Sequence, residues 1–155
     1  MNRNTNPSWP DQIYTTLKHA GIRQVGYVPD AGHKRLIELC LADRELRSVV
    51  LSTEEEGIGL LAGAWLGGAR GALLMLVTMR GQVGEFNPWQ VAMGQATPTV
   101  LEAMGVVVHE ANSAEAIAPT VDAAARLAFG SYQAVAVLIS QAVIGIKSFQ
   151  DQASR

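Results

Sequence analysis

Thr53-Glu54-Glu55-Glu56-Gly57-Ile58-Gly59-Leu60-Leu61-Ala62-Gly63-Ala64-Trp65-Leu66-Gly67-Gly68 follows the short apolar run Val49-Val50-Leu51 and reads as the opening and body of a helix. Thr53 with Glu56 three residues on has the spacing of a capping box, which satisfies orphan amides at a helix start. Three carboxylates in the first turn also suit the positive end of the helix dipole. The helix behind them is almost free of charge, and Gly59, Gly63 and Gly67 recur at every fourth position. Each interior glycine costs about 1 kcal/mol relative to alanine. That cost points to close approach of another backbone, or of a flat ligand, along the glycine ridge. Strand followed by helix is the unit from which the rest of the chain is built.

Working outward, Trp9-Pro10-Asp11 starts a helix with Ile13, Leu17 and Ala20 on its apolar face, stopped by Gly21. Val25–Val28 reads as a short strand ending at Pro29, and the loop Asp30–His33 leads to a helix carrying Leu36, Ile37, Cys40 and Leu41. Ser48–Leu51 is the next strand. Ala72–Met79 is a continuous apolar run, as expected of a strand buried on both faces. Arg80–Ala96 shows no period and reads as a long loop, a length that is uncommon unless functional. Thr97-Pro98 is expected to cap a short helix through Met104. Val106–Val108 forms a strand, helical segments run from Ser113 to Phe129 around Pro119, and Ala134–Ile139 is the last strand.

Strands alternating with helices predict an α/β fold: three layers, with a mainly parallel sheet flanked by helices. The expected organisation is a tail over 1–8, one domain over 9–148 and a tail over 149–155. Ligands of such sheets sit at the carboxyl ends of the strands. That edge collects the loop Pro29–His33, Thr53–Glu56 and the loop Arg80–Gln95.

With 155 residues, the chain can bury a sizeable core. Charged residues make up 17%, against about 25% for an ordinary soluble domain. This predicts a surface partly covered by another chain, through self-association or a different subunit. The net charge of −2 gives no reason to expect nucleic acid. No run approaches a membrane span and the N-terminus lacks a signal-peptide core, so a cytoplasmic protein is expected. The single Cys40 reads as a small core residue. His19, His33 and His109 are scattered, which predicts no metal site on this chain. The glycine ridge lies within its helix rather than before it, so it is neither a Walker loop nor a dinucleotide fingerprint. Glu56 fits a structural cap. For the other two acids, solvated first-turn carboxylates and a functional carboxylate are both open. Trp89 and Phe86 either anchor the long loop or contribute to an interface.

Strand, Glu-Glu-Gly, then Leu-Leu-Ala-Gly-Ala-Trp-Leu-Gly resembles the pyrimidine-binding domain of thiamine-diphosphate enzymes. Tyr27-Val28-Pro29-Asp30 is similar to that family's first active-site loop, and Arg80-Gly81-Gln82-Val83 to the loop after a later strand. Within the family, the sulfopyruvate decarboxylase alpha subunits and phosphonopyruvate decarboxylases are the most similar, from Trp9 to Ser148. The resemblance implies a lyase subunit that decarboxylates a small anionic 2-oxo acid. Glu55 would match the catalytic glutamate, hydrogen-bonded to a ring nitrogen of the cofactor's aminopyrimidine. A dry, apolar surrounding would raise its proton affinity. Pro29 would face the cofactor; Asp30, His33, Arg80, Gln82, Asn87 and Gln90 would face the substrate, with Arg80 and His33 as cations for a sulfonate or phosphonate.

This chain lacks the family's Gly-Asp-Gly…Asn pattern for magnesium and diphosphate, which implies a separate beta subunit carrying it. It also lacks the Ser-Gly-x-Gly-Asn segment with its helix and strand, because Leu74-Met75 runs directly into Leu76-Val77. One strand and one helix fewer than the family are therefore expected. A shortened, non-catalytic interaction subunit is the alternative reading.

Overall fold

A computed structural model describes residues 7–69 and 71–145. Most of the two expected tails and the domain end at 148 lie outside the described residues. The elements follow in the order α1 (Trp9–His19), β1 (Gln24–Tyr27), α2 (Lys34–Ala42), β2 (Arg47–Val50), α3 (Glu55–Leu66), β3 (Leu74–Thr78), α4 (Pro88–Ala103), β4 (Val107–Ala111), α5 (Ala114–Ser131), β5 (Val135–Ile139) and α6 (Gln141–Ile144). All strand pairs among the described residues are parallel, so this is an α/β fold.

β5 is central and buried along its whole length. Its alternate residues serve two cores, as the period of 2 requires. Val135, Val137 and Ile139 face α1, α2 and α5 with Ile13, Leu17, Leu36 and Val121. Ala136 and Leu138 face the other way, with Met79, Val77 and Leu101. Cys40 belongs to the first core, where burial pushes its thiol up to about 11, in keeping with an inert packing residue. Helix α1 stops as expected: Gly21, at φ +72°, lets the Ile22 amide donate to the Leu17 carbonyl and the Gly21 amide to Lys18.

Three features differ from the sequence expectation. First, the strands form two sheets, β1-β2 and β3-β5-β4, rather than one. β3 runs without interruption across Met75-Leu76, and both β1 and β3 have one side unpaired. A chain lacking one strand and one helix leaves such a discontinuity, because α3 leads directly into β3. The carboxyl ends of the two sheets are tied by the Thr78 hydroxyl, which donates to Asp30 Oδ2 at 2.8 Å.

Second, Pro88–Ala103 is one helix, so the long loop ends at Asn87 and Thr97-Pro98 does not begin a new element. Asn87-Pro88 is the real start, with proline in the first turn where its missing amide costs nothing. The helix was hidden because only Gly94 is buried along it, so no apolar stripe is visible. Third, α5 passes through Pro119 as a single helix.

Candidate functional site

Pro29, Asp30 and His33 follow β1, Glu55 follows β2, and Arg80, Gln82 and Asn87 follow β3, with Gln90 in the first turn of α4. After β1, Asp30 is the hub: its Oδ2 accepts from the His33 amide (3.2 Å) and Thr78, and pairs with His33 Nδ1 at 3.4 Å. His33, Thr78 and the Gly32 amide hold this carboxyl well below the usual carboxylate range, outweighing the opposing effect of burial. The His33 ring is wedged edge-on against Trp9, and its Nε2 is buried without a hydrogen-bond partner among the described residues. Pro29 and Asp30 line an open cavity of about 330 Å³ with Tyr27, Lys34, Ile37 and Glu38.

After β2, Glu55 is the first residue of α3 and is exposed. Glu56 does cap, but its carboxylate reaches back to the Ser52 amide at 2.7 Å, not to Thr53. The Thr53 side chain bonds Glu55 instead. Together with Glu55's own amide, that bond lowers the Glu55 carboxyl's pKa. The expected dry surrounding, which would raise it, is not formed by the described residues. None of α3 is fully buried, and a Cβ added at Gly59 or Gly63 would meet nothing within 4 Å. The glycine ridge is therefore open: its close-approach partner is not among the described residues of this chain.

After β3, the loop to α4 is held by a carboxylate that sequence reading missed. The Glu85 side chain is 1% exposed. It accepts from Arg80 Nε (3.1 Å), the amides of Gly81, Phe86 and Asn87, and Gln141 Nε2 (3.2 Å). Burial alone would push its pKa up, but the Asn87 amide, Arg80 and the Gly81 amide bring it down to about 2. Gln82 is committed to Gln141: each accepts from the other's backbone amide through its side-chain oxygen, at 2.7 and 3.1 Å. Asn87 donates to Gln90. Gln82 also lines a second cavity of about 180 Å³, with Gln95, Glu110 and Asn112 above Met79 and Leu138. The clue to Glu85 in the sequence was its being, with Arg80, one of two charges in an otherwise neutral loop. Trp89 is 73% exposed, which fits a contact surface better than a loop anchor.

Acid should weaken this arrangement. Glu85 at about 2, and Asp43 at about 2 through Lys18, the Glu45 amide and Tyr14, lie below their ordinary values of 4.5 and 3.8. Lowered values mean that the stabilisation is complete above the unfolded-state values and is lost as pH falls toward 2. The urea midpoint is expected to be lower at pH 3 than at pH 6. Equal midpoints would contradict the assignment.

No family model matches the chain. It is 27% identical to the sulfopyruvate decarboxylase subunit alpha of Methanothermobacter thermautotrophicus, covering 83% of this chain and 93% of that protein. The chain is similar to sulfopyruvate decarboxylase alpha subunits. The proteins of that name from Methanococcus maripaludis (25% identical; 83% and 92% covered) and Methanocaldococcus jannaschii (26%; 66% and 76%) give the same answer. The aligned span with the first two is 154 residues, yet it takes up only 83% of this 155-residue chain. Those alpha subunits therefore carry positions that this chain skips, in keeping with its divided sheet. No described helix is long and apolar enough to cross a membrane.

Proposed function

We propose that this chain is the pyrimidine-binding subunit of a thiamine-diphosphate-dependent 2-oxo-acid decarboxylase of the sulfopyruvate or phosphonopyruvate type. The observation that carries the reading is the similarity to three sulfopyruvate decarboxylase alpha subunits over most of both chains. The local features fit the aminopyrimidine half of the cofactor: a carboxylate begins α3 beside a ridge on which a Cβ would meet nothing. When bound, thiamine diphosphate supplies the electron sink for loss of carbon dioxide.

Glu55 is the residue that would hold and move the proton at the aminopyrimidine ring nitrogen. Pro29, which follows the strand β1 paired with β2, would face the cofactor from the same sheet edge. Among the described residues Glu55 is exposed, and the apolar cover that would raise its proton affinity is assigned here to a second subunit. Magnesium and diphosphate would be held by a beta subunit with the Gly-Asp-Gly pattern, as the resemblance implies.

Exposed apolar side chains on α3 and α4 supply surface for such a partner or for self-association. Leu66 is 86% exposed, Trp89 73% and Met104 78%. Solitary monomers rarely leave so much apolar surface in water. The small anionic substrate would meet Asp30, His33, Arg80, Gln82, Asn87 and Gln90, of which Arg80 and His33 are the candidate cations.

The divided sheet favours a second reading, a shortened subunit that pairs but does not complete a site. Co-expression with a diphosphate-binding subunit, then carbon dioxide release from sulfopyruvate with thiamine diphosphate and magnesium, separates the two. Turnover supports the catalytic reading. Retention of cofactor without turnover supports the second.

A further inference from the structure

We infer that Glu85 is the positioning residue of an anion fork at Arg80, an inference that rests on the decarboxylase reading above. The Arg80 side chain is 23% exposed and uses only its Nε on Glu85. Its two terminal nitrogens have no partner among the described residues. A guanidinium pinned through Nε keeps its planar end available for a bidentate contact with a sulfonate, phosphonate or carboxylate. Arg80 follows β3 two residues after Thr78, whose hydroxyl holds Asp30, so the fork stands on the same sheet edge as the loop after β1.

Glu85 is a suitable anchor because it is itself immobilised. The loop's own amides fill its Oε1, and Gln141 holds its Oε2 from the start of α6. The reciprocal pair between Gln82 and Gln141 fastens the same loop a second time. The guanidinium is thereby oriented before any ligand arrives, which is what distinguishes a fork from a mobile surface arginine. The group it would take is the terminal acid of the 2-oxo acid, where sulfonate and phosphonate present the same oxygen geometry.

The test uses the full chain in complex with its diphosphate-binding subunit. Arg80→Ala is expected to raise KM for sulfopyruvate roughly tenfold or more, with kcat changed far less. Added guanidinium ion should restore part of the loss, and Arg80→Lys should not. Glu85→Gln, and Glu85→Asp if the first variant folds poorly, should reproduce the KM effect while Arg80 is still present. Calorimetric titration with sulfoacetate gives a readout independent of turnover: wild type binds, and Arg80→Ala and the Glu85 variants bind at least about tenfold more weakly. A wild-type complex that releases no carbon dioxide overturns the decarboxylase reading, while the sulfoacetate titration still decides the fork. A wild-type complex that turns over, with KM and sulfoacetate affinity unchanged in the variants, overturns the fork.

Discussion

Gly94→Ala is expected to destabilise the folded chain by about 3 kcal/mol or more, at the upper end of overpacking substitutions. A Cβ at Gly94 would overlap the Arg80 carbonyl oxygen, lie 2.6 Å from the carbonyl carbon and stand 3.2 Å from Gly81 Cα. All three atoms are backbone, so no side chain can turn aside. Gly81 faces it with φ +73°, and a Cβ there would stand 2.5 Å from the Gln90 carbonyl oxygen. The two glycines are thus where α4 seats against the loop that carries Arg80 and Glu85. Gly63→Ala is the matched control: its Cβ meets open space, and helix propensity alone should stabilise the isolated chain by up to about 1 kcal/mol. Urea unfolding of both variants checks the contrast. A Gly94→Ala midpoint equal to wild type would refute the packing argument.

Glu55→Gln is expected to lower carbon dioxide release by the assembled complex roughly 10²–10⁴-fold, the usual contribution of a positioned proton-transfer group. The amide keeps the size of the side chain but cannot exchange a proton with a ring nitrogen. Because Glu55 is exposed and its polar contacts are local, to Thr53 and its own amide, the folded chain should tolerate the change. Loss of turnover with an unchanged unfolding midpoint and intact assembly is the expected pattern. Wild-type turnover would remove Glu55 from the mechanism.

The elements that sequence reading located well were those with a one-sided or continuous apolar pattern. α1 ends where Gly21 permits its reversal, and apolar runs marked β3 and β5. The run expected to be buried on both faces, Ala72–Met79, forms the edge strand β3, only partly buried, while β5 is the fully buried centre. α4 was illegible for the opposite reason: Trp89, Met93 and Val100 point into solvent while its packed side carries mainly Gly94 with Leu101, so its apolar residues do not trace the packed face. The site divided in the same way. A strand end followed by a glycine-rich helix drew attention to the acids Glu54–Glu56, and the family resemblance alone singled out Glu55. The protonation environment of Glu55 was not legible, since the cover it needs is not among the described residues. Arg80 and Gln82 were legible as polar residues in an aperiodic loop. Glu85, which anchors Arg80, was not, because burial of a carboxylate by backbone amides follows from the loop's path rather than from any spacing.

The central claim is that this chain supplies the carboxylate that activates bound thiamine diphosphate. Deuterium exchange at the thiazolium C2 position of the cofactor, in the complex with the diphosphate-binding subunit and without substrate, tests it most directly. Rapid exchange in wild type and markedly slower exchange in Glu55→Gln is the predicted result. Equal exchange in the two complexes, at equal cofactor occupancy, would contradict the claim.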